Sequence, residues 1–188
     1  MTDTAFGPTA LATPANYLTV ARLLVSPLLF VMITDRGATW GVFALWTLLC
    51  LTDGVDGYLA RRHGTTRSGA FLDPLADKVL VLGALVALVD VGRFAWFPVL
   101  VIAGREVSIS MYRSYWARRG LSIPARAGAK LKTVVQQLAI GAALLPLLAD
   151  GPAWVADGLL WAAVVLTVAT GIHYLVDGSR AASGALEG

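Results

Sequence analysis

The sequence predicts an all-α, polytopic membrane protein with six transmembrane helices and a polar pocket facing the cytoplasm, and three observations lead there. Hydrophobic residues fill 57% of the 188 positions and charged residues only 14%, and the mean hydropathy of +0.70 lies outside the range of ordinary soluble domains. Apolar runs close to the roughly 20 residues needed to cross about 30 Å of hydrocarbon recur along nearly the whole chain. Arginine and lysine gather in alternate connections, as positive charge does on the cytoplasmic side of a membrane.

The spans are expected at Tyr17–Ile33, Thr39–Leu59, Phe71–Val91, Phe94–Trp116, Ala129–Leu148 and Trp154–Val176. Residues 1–16 form a short segment, cytoplasmic or interfacial, without the positive start and cleavage site of a signal peptide. Asp35-Arg36-Gly37 separates the first two spans, His63 to Gly69 the next pair, and Val91 to Arg93 the third from the fourth. Gly120 to Pro124 and Asp150 to Pro152 supply the remaining breaks. Pro146 is expected to kink or end the fifth span, and Pro74 to sit harmlessly in the first turn of the third. With no repeat or low-complexity tract, residues 1–188 read as one domain.

Arg61, Arg62 and Arg67 follow the second span, and Arg118, Arg119, Arg126, Lys130 and Lys132 follow the fourth, whereas the opposite loops hold only Arg36 and Arg93. Both termini and the two basic connections are therefore expected in the cytoplasm. Trp40, Trp96 and Trp154 fall at span ends, where amphipathic rings favour the interface. The net charge of +3 is dispersed between apolar segments without a nucleic-acid motif, which suits anionic head groups and phosphates and argues against a nucleic-acid partner. The single cysteine, Cys50, excludes an intrachain disulfide.

Chemistry concentrates where the second span ends and the third begins. Asp53 and Asp56 stand three residues apart, and Asp73 and Asp77 four apart, so each pair shares a helix face. Ionised carboxylates at membrane depth cost roughly 2.5 kcal/mol or more each and repel one another, so something must neutralise them. Hard oxygen donors without a thiolate or histidine cluster suit magnesium, manganese or calcium. Two such ions fit four carboxylates and would clamp a diphosphate. Gly54, Gly57, Ala60 and Gly69 remove bulk where helices or a nucleotide must approach, and Arg61 lies within reach of substrate phosphates.

A second cluster is cationic. Arg105 lies within the fourth span, where an arginine must pair or face a wet cavity. Arg113 is about two turns further on nearly the same face, and Lys130 and Lys132 open the fifth span. Such cations suit a phosphorylated acceptor. The alternative is an ion pair between Arg105 and its neighbour Glu106, although adjacent helical residues diverge.

The string D-x-x-D-G-x-x-A-R, seven residues, G-x-x-x-D-x-x-x-D stands here as Asp53, Asp56, Gly57, Ala60, Arg61, Gly69, Asp73 and Asp77. It resembles the signature of the CDP-alcohol phosphatidyltransferase family, whose six-helix plan the other spans fit. The resemblance implies a phospholipid-biosynthetic enzyme that moves a phosphatidyl group from CDP-diacylglycerol to an alcohol and releases CMP. It implies that Asp53, Asp56, Asp73 and Asp77 bind two Mg2+ or Mn2+ ions, with Asp77 also the general base. Gly57, Ala60 and Arg61, with Thr66, would contact the donor.

Gly104 to Arg113, Gly128 to Thr133 and Asn16 to Arg22 are similar to the branch of that family whose acceptor is sn-glycerol 3-phosphate. This implies donor contacts from Asn16 and Thr19 and acceptor-phosphate contacts from Arg105, Arg113, Lys130 and Lys132. Asn16 and Thr19 also read as caps of the first helix, and Arg22 as a snorkelling charge. Phosphatidylglycerol and inositol phosphate are the rival acceptors. A bacterial inner (plasma) membrane, an active site on the cytoplasmic face, membrane-lipid contacts and a homodimer complete the expectation. A divalent-cation transporter would also need buried carboxylates, but the strongly polar positions gather on one half of the bilayer instead of crossing it.

Overall fold

The computed structural model describes the backbone of residues 14–63, 69–118 and 127–186, and side chains within 16–52, 74–115 (except 113) and 131–174. The described residues are all-α, in seven helices: α1 (Pro14–Arg36), α2 (Trp40–His63), α3 (Gly69–Asp90), α4 (Trp96–Arg118), α5 (Ala127–Leu144), the short α6 (Pro146–Ala149) and α7 (Trp154–Leu186). Each expected span has a helix. Among the described residues, two stretches are long and apolar enough to cross a membrane, at Asn16–Arg36 and Trp154–Tyr174, while Trp40–Thr52 and Leu131–Leu144 are shorter apolar segments.

Glycine and proline set the helix ends. Gly37 (φ 64) and Gly92 (φ 71) adopt the left-handed conformation, which glycine enters without steric cost. After α1 the Gly37 N–H donates to the Ile33 carbonyl at 3.0 Å; after α3 the N–H groups of Gly92 and Arg93 donate to Val89 and Leu88 at 2.9 and 2.8 Å. The first pattern is the αL cap and the second the Schellman cap. Pro146 ends α5 as expected: Leu145 before it is extended (φ −73, ψ 116), since a residue preceding proline avoids the α region. Two other expectations shift. Helix α1 starts at Pro14, so Asn16 is already helical; α3 starts at Gly69, so Pro74 lies beyond the first turn, inside the helix, and withholds an N–H from the Ala70 carbonyl.

Helix α1 packs along α3 and α2, and α7 along α5 and α4; thinner contacts of α2 with α5 and of α3 with α4 and α5 join the two groups. Close approach is visible at Gly83 of α3, under the Phe30 ring of α1, and at Gly141 of α5, beside the Trp46 indole of α2. The core between the groups is built from Leu29, Ile33, Trp46, Leu85, Leu88, Ile102, Ile140, Leu144 and Leu160.

The described outer surface is strongly apolar, and several polar groups are buried beside the aliphatic core. Large apolar side chains such as Leu24, Leu48, Val86, Leu100, Leu138 and Val165 are exposed on all the long helices, while Asn16, Thr19, Arg22, Ser26, Glu106, Lys132, Gln136 and Thr167 are buried. Trp40, Trp96 and Trp154 each open a helix and are exposed. Beside them Arg93 ties the α3–α4 turn to the start of α7, donating to Asp157 Oδ1 at 3.3 Å and to the Ala153 carbonyl at 2.9 Å.

Candidate active site

Asp53, Asp56, Gly57, Ala60 and Arg61 lie on the last turns of α2, and Asp73 and Asp77 on the first turns of α3. Both carboxylate pairs therefore sit at helical spacing on consecutive helices joined by residues 64–68. The side chains of Asp53, Asp56, Gly57, Ala60, Arg61 and Asp73, and all of Thr66, lie outside the described residues. So do the side chains of Arg113 and Lys130, whose backbones belong to α4 and α5. The donor set of these two helix ends is oxygen from aspartate, which fits a hard divalent cation. Among the described residues no group of three His, Cys, Asp or Glu side chains forms a metal cluster.

Helix α1 contributes a buried polar ladder, Asn16, Thr19, Arg22 and Ser26, spaced so that all four lie near one face. Thr19 is fully buried in the second turn, which removes it from the cap position. Arg22 is 2% exposed and so does not snorkel. Asn16, Thr19 and Arg22 all have partners, and the Ser26 hydroxyl donates to the Arg22 carbonyl at 2.7 Å.

A cavity of about 160 Å³ opens between α3, α4, α5 and α7, lined by Pro74, Asp77, Lys78, Arg105, Glu106, Ile109, Ser110, Lys132, Thr133 and Tyr174. It brings together three residues singled out from sequence, Asp77, Arg105 and Lys132, from three different helices. Arg105 Nη1 donates to Glu106 Oε1 at 3.0 Å, so the neighbouring pair that helical geometry disfavours is formed after all. The reason is the length of the arginine side chain and the site of the carboxylate, which is held from across the interface by Lys132 Nζ. Arg105 Nη2 donates to Thr170 Oγ1 at 3.1 Å, and that hydroxyl donates to the Leu166 carbonyl at 2.7 Å. Further along the same interface Gln136 Nε2 donates to Thr167 Oγ1 at 3.1 Å.

Sequence reasoning missed the α7 residues around this network, Thr167, Thr170, Tyr174 and Gly171, which lies against the Arg105 stem, and the α5 residue Gln136. Small and hydroxyl-bearing residues in an apolar run carry little signal by themselves. The one legible cue was a glutamine on α5 and threonines at 167 and 170 interrupting spans of otherwise aliphatic character, since polar groups in such runs favour helix contacts.

A family model described as CDP-alcohol phosphatidyltransferase matches residues 12–169, which include every candidate residue above except Gly171, Thr170 and Tyr174. The chain is 40% identical over 184 residues, covering 93% of its own length and 85% of the relative, to a probable phosphatidylglycerophosphate synthase of Mycobacterium tuberculosis strain H37Rv. It is 36% identical over 166 residues (85% and 93% of the two chains) to the CDP-diacylglycerol--glycerol-3-phosphate 3-phosphatidyltransferase of Rickettsia typhi. A protein of the same description from Pseudomonas fluorescens is 37% identical over 187 residues (88% and 93%).

Proposed function

The chain belongs to the CDP-alcohol phosphatidyltransferase family, and on that premise we propose that it transfers the phosphatidyl group of CDP-diacylglycerol to sn-glycerol 3-phosphate, giving phosphatidylglycerophosphate and CMP. The observation that carries the acceptor is that Asp77, Arg105 and Lys132 line one and the same cavity. A base and two cations meet there, as an alcohol bearing a phosphate requires. Relatives named for this acceptor, similar over most of both chains, support the same reading.

In this scheme Asp53, Asp56, Asp73 and Asp77 hold two Mg2+ or Mn2+ ions, which when bound offset charge on the donor diphosphate. Asn16 and Thr19 of α1, with Gly57, Ala60, Arg61 and Thr66, orient the cytidine diphosphate. Arg105 and Lys132, with Arg113 and Lys130, bind the acceptor phosphate. Asp77 takes the proton of the attacking hydroxyl as its oxygen forms the new bond to the phosphatidyl phosphorus and the bond to CMP breaks. Asp77 also stands on the wall of the cavity that holds the cations, so the acceptor can be anchored at one end and deprotonated at the other.

The exposed apolar side chains on every long helix support six spans, with α5 and α6 together making the fifth. The basic connections support a bacterial inner-membrane setting with the aspartates facing the cytoplasm, and we include a homodimer in the proposal. The test is CMP release in detergent with CDP-diacylglycerol and magnesium, supplying sn-glycerol 3-phosphate, inositol 1-phosphate or phosphatidylglycerol separately. Phosphatidylglycerophosphate as the sole lipid product is expected; a different product discards the acceptor assignment, and silence with all three discards the enzyme.

A further inference from the structure

We propose that Glu106 is a positioning residue that locks Arg105 and Lys132 into one fixed pair of cations for the acceptor's phosphate. The inference rests on the functional reading above and concerns a residue to which that reading gives no role.

Arg105 comes from α4 and Lys132 from α5, and two cations converging in a low-dielectric interior repel. Left alone, each would take its own rotamers. Glu106 Oε1 accepts from both, from Arg105 Nη1 and from Lys132 Nζ, so one buried carboxylate oxygen fixes the spacing of the two heads. Helix α7 completes the seat. Thr170 accepts from the other terminal guanidinium nitrogen, Nη2, and the stem of Arg105 lies over Gly171, where a Cβ would stand 3.3 Å from Cγ and Nε.

This clamp leaves donors to spare. Lys132 offers three N–H donors and Arg105 five, of which Glu106 and Thr170 engage one and two. Arg105 Nε is buried without a hydrogen-bond partner among the described residues. Three cations, Lys78, Arg105 and Lys132, face two carboxylates, Asp77 and Glu106, so the cavity wall keeps a net positive charge. A phosphate monoester supplies the missing acceptors and the opposite charge.

The test compares steady-state constants of the purified enzyme in detergent. Glu106→Gln keeps the size of the side chain and removes the charge that holds the pair; loss of one such charge-assisted contact is expected to raise KM for sn-glycerol 3-phosphate about tenfold, with KM for CDP-diacylglycerol within about twofold. Glu106→Asp, which keeps the charge, is expected to recover part of the loss. Gly171→Ala leaves every charge in place and displaces Arg105, so it is expected to shift the same constant in the same direction. An unchanged acceptor KM in Glu106→Gln, or an equal rise for both substrates, overturns the proposal. Should Glu106→Gln fail to fold, Gly171→Ala and Thr170→Val decide it: an unchanged acceptor KM in both overturns it. Failure of the wild-type enzyme to use sn-glycerol 3-phosphate is a separate result, which removes the functional reading and this inference with it.

Discussion

Asp77 has two chemical settings at once. It belongs to the aspartate string of α2 and α3 and lines the cavity that holds Lys78, Arg105 and Lys132. Asp77→Asn preserves shape and removes the proposed proton acceptor, so CMP release is expected to fall by about a hundredfold or more, while binding of CDP-diacylglycerol to the purified variant changes little. Normal turnover by that variant removes Asp77 as the base. The aspartates stand out in the sequence as a candidate site because ionised groups at close, regular spacing are improbable in an apolar chain. Glu106 was harder to read, for its decisive partner Lys132 lies 26 residues away, a relation that no periodicity encodes. Arg22 misled for a related reason: near a helix start a long cation is expected to reach water, yet packing of α1 on two other helices encloses it.

The helices themselves were legible almost completely, since long apolar runs punctuated by glycine and proline leave few alternatives. Their neighbours were not. The pairing of α1 with α3 and of α5 with α7 depends on surfaces such as the notch at Gly83, where an added Cβ would come within 2.2 Å of the Phe30 ring. Gly83→Ala is therefore expected to lower stability by about 1–3 kcal/mol, the usual cost of overpacking, and Phe30→Leu in the same chain to restore part of it; thermal unfolding in detergent measures both. The cap at the end of α3 makes a second element-scale prediction. Gly92 holds φ 71, a conformation that costs an alanine about 1–2 kcal/mol, so Gly92→Ala is expected to lower the unfolding temperature without altering either KM. A matching loss of substrate affinity would mean that this turn acts on the site, at the other end of the bundle.

Among the described side chains an aliphatic core encloses a few polar groups while many large aliphatic groups also face outward, a surface that suits a chain with 57% hydrophobic residues in a lipid setting. The aspartate ends of α2 and α3 make a metal requirement the corresponding whole-enzyme prediction. Chelation by EDTA is expected to stop CMP release, and magnesium or manganese to restore it, as hard oxygen donors dictate. Activity that survives exhaustive chelation would discard the metal assignment.

Helix α7 runs for 33 residues, which at 1.5 Å per residue is about 50 Å, against about 30 Å of hydrocarbon. Its apolar run ends at Val176, before Asp177, so in the proposed membrane setting the continuing turns, residues 177–186, form a rod that outlasts the oily layer by about three turns. A reporter fused behind that rod would stand clear of the lipid on the side where α7 emerges. With a phosphatase or a green fluorescent domain at that position, the chain announces its own sidedness in living cells.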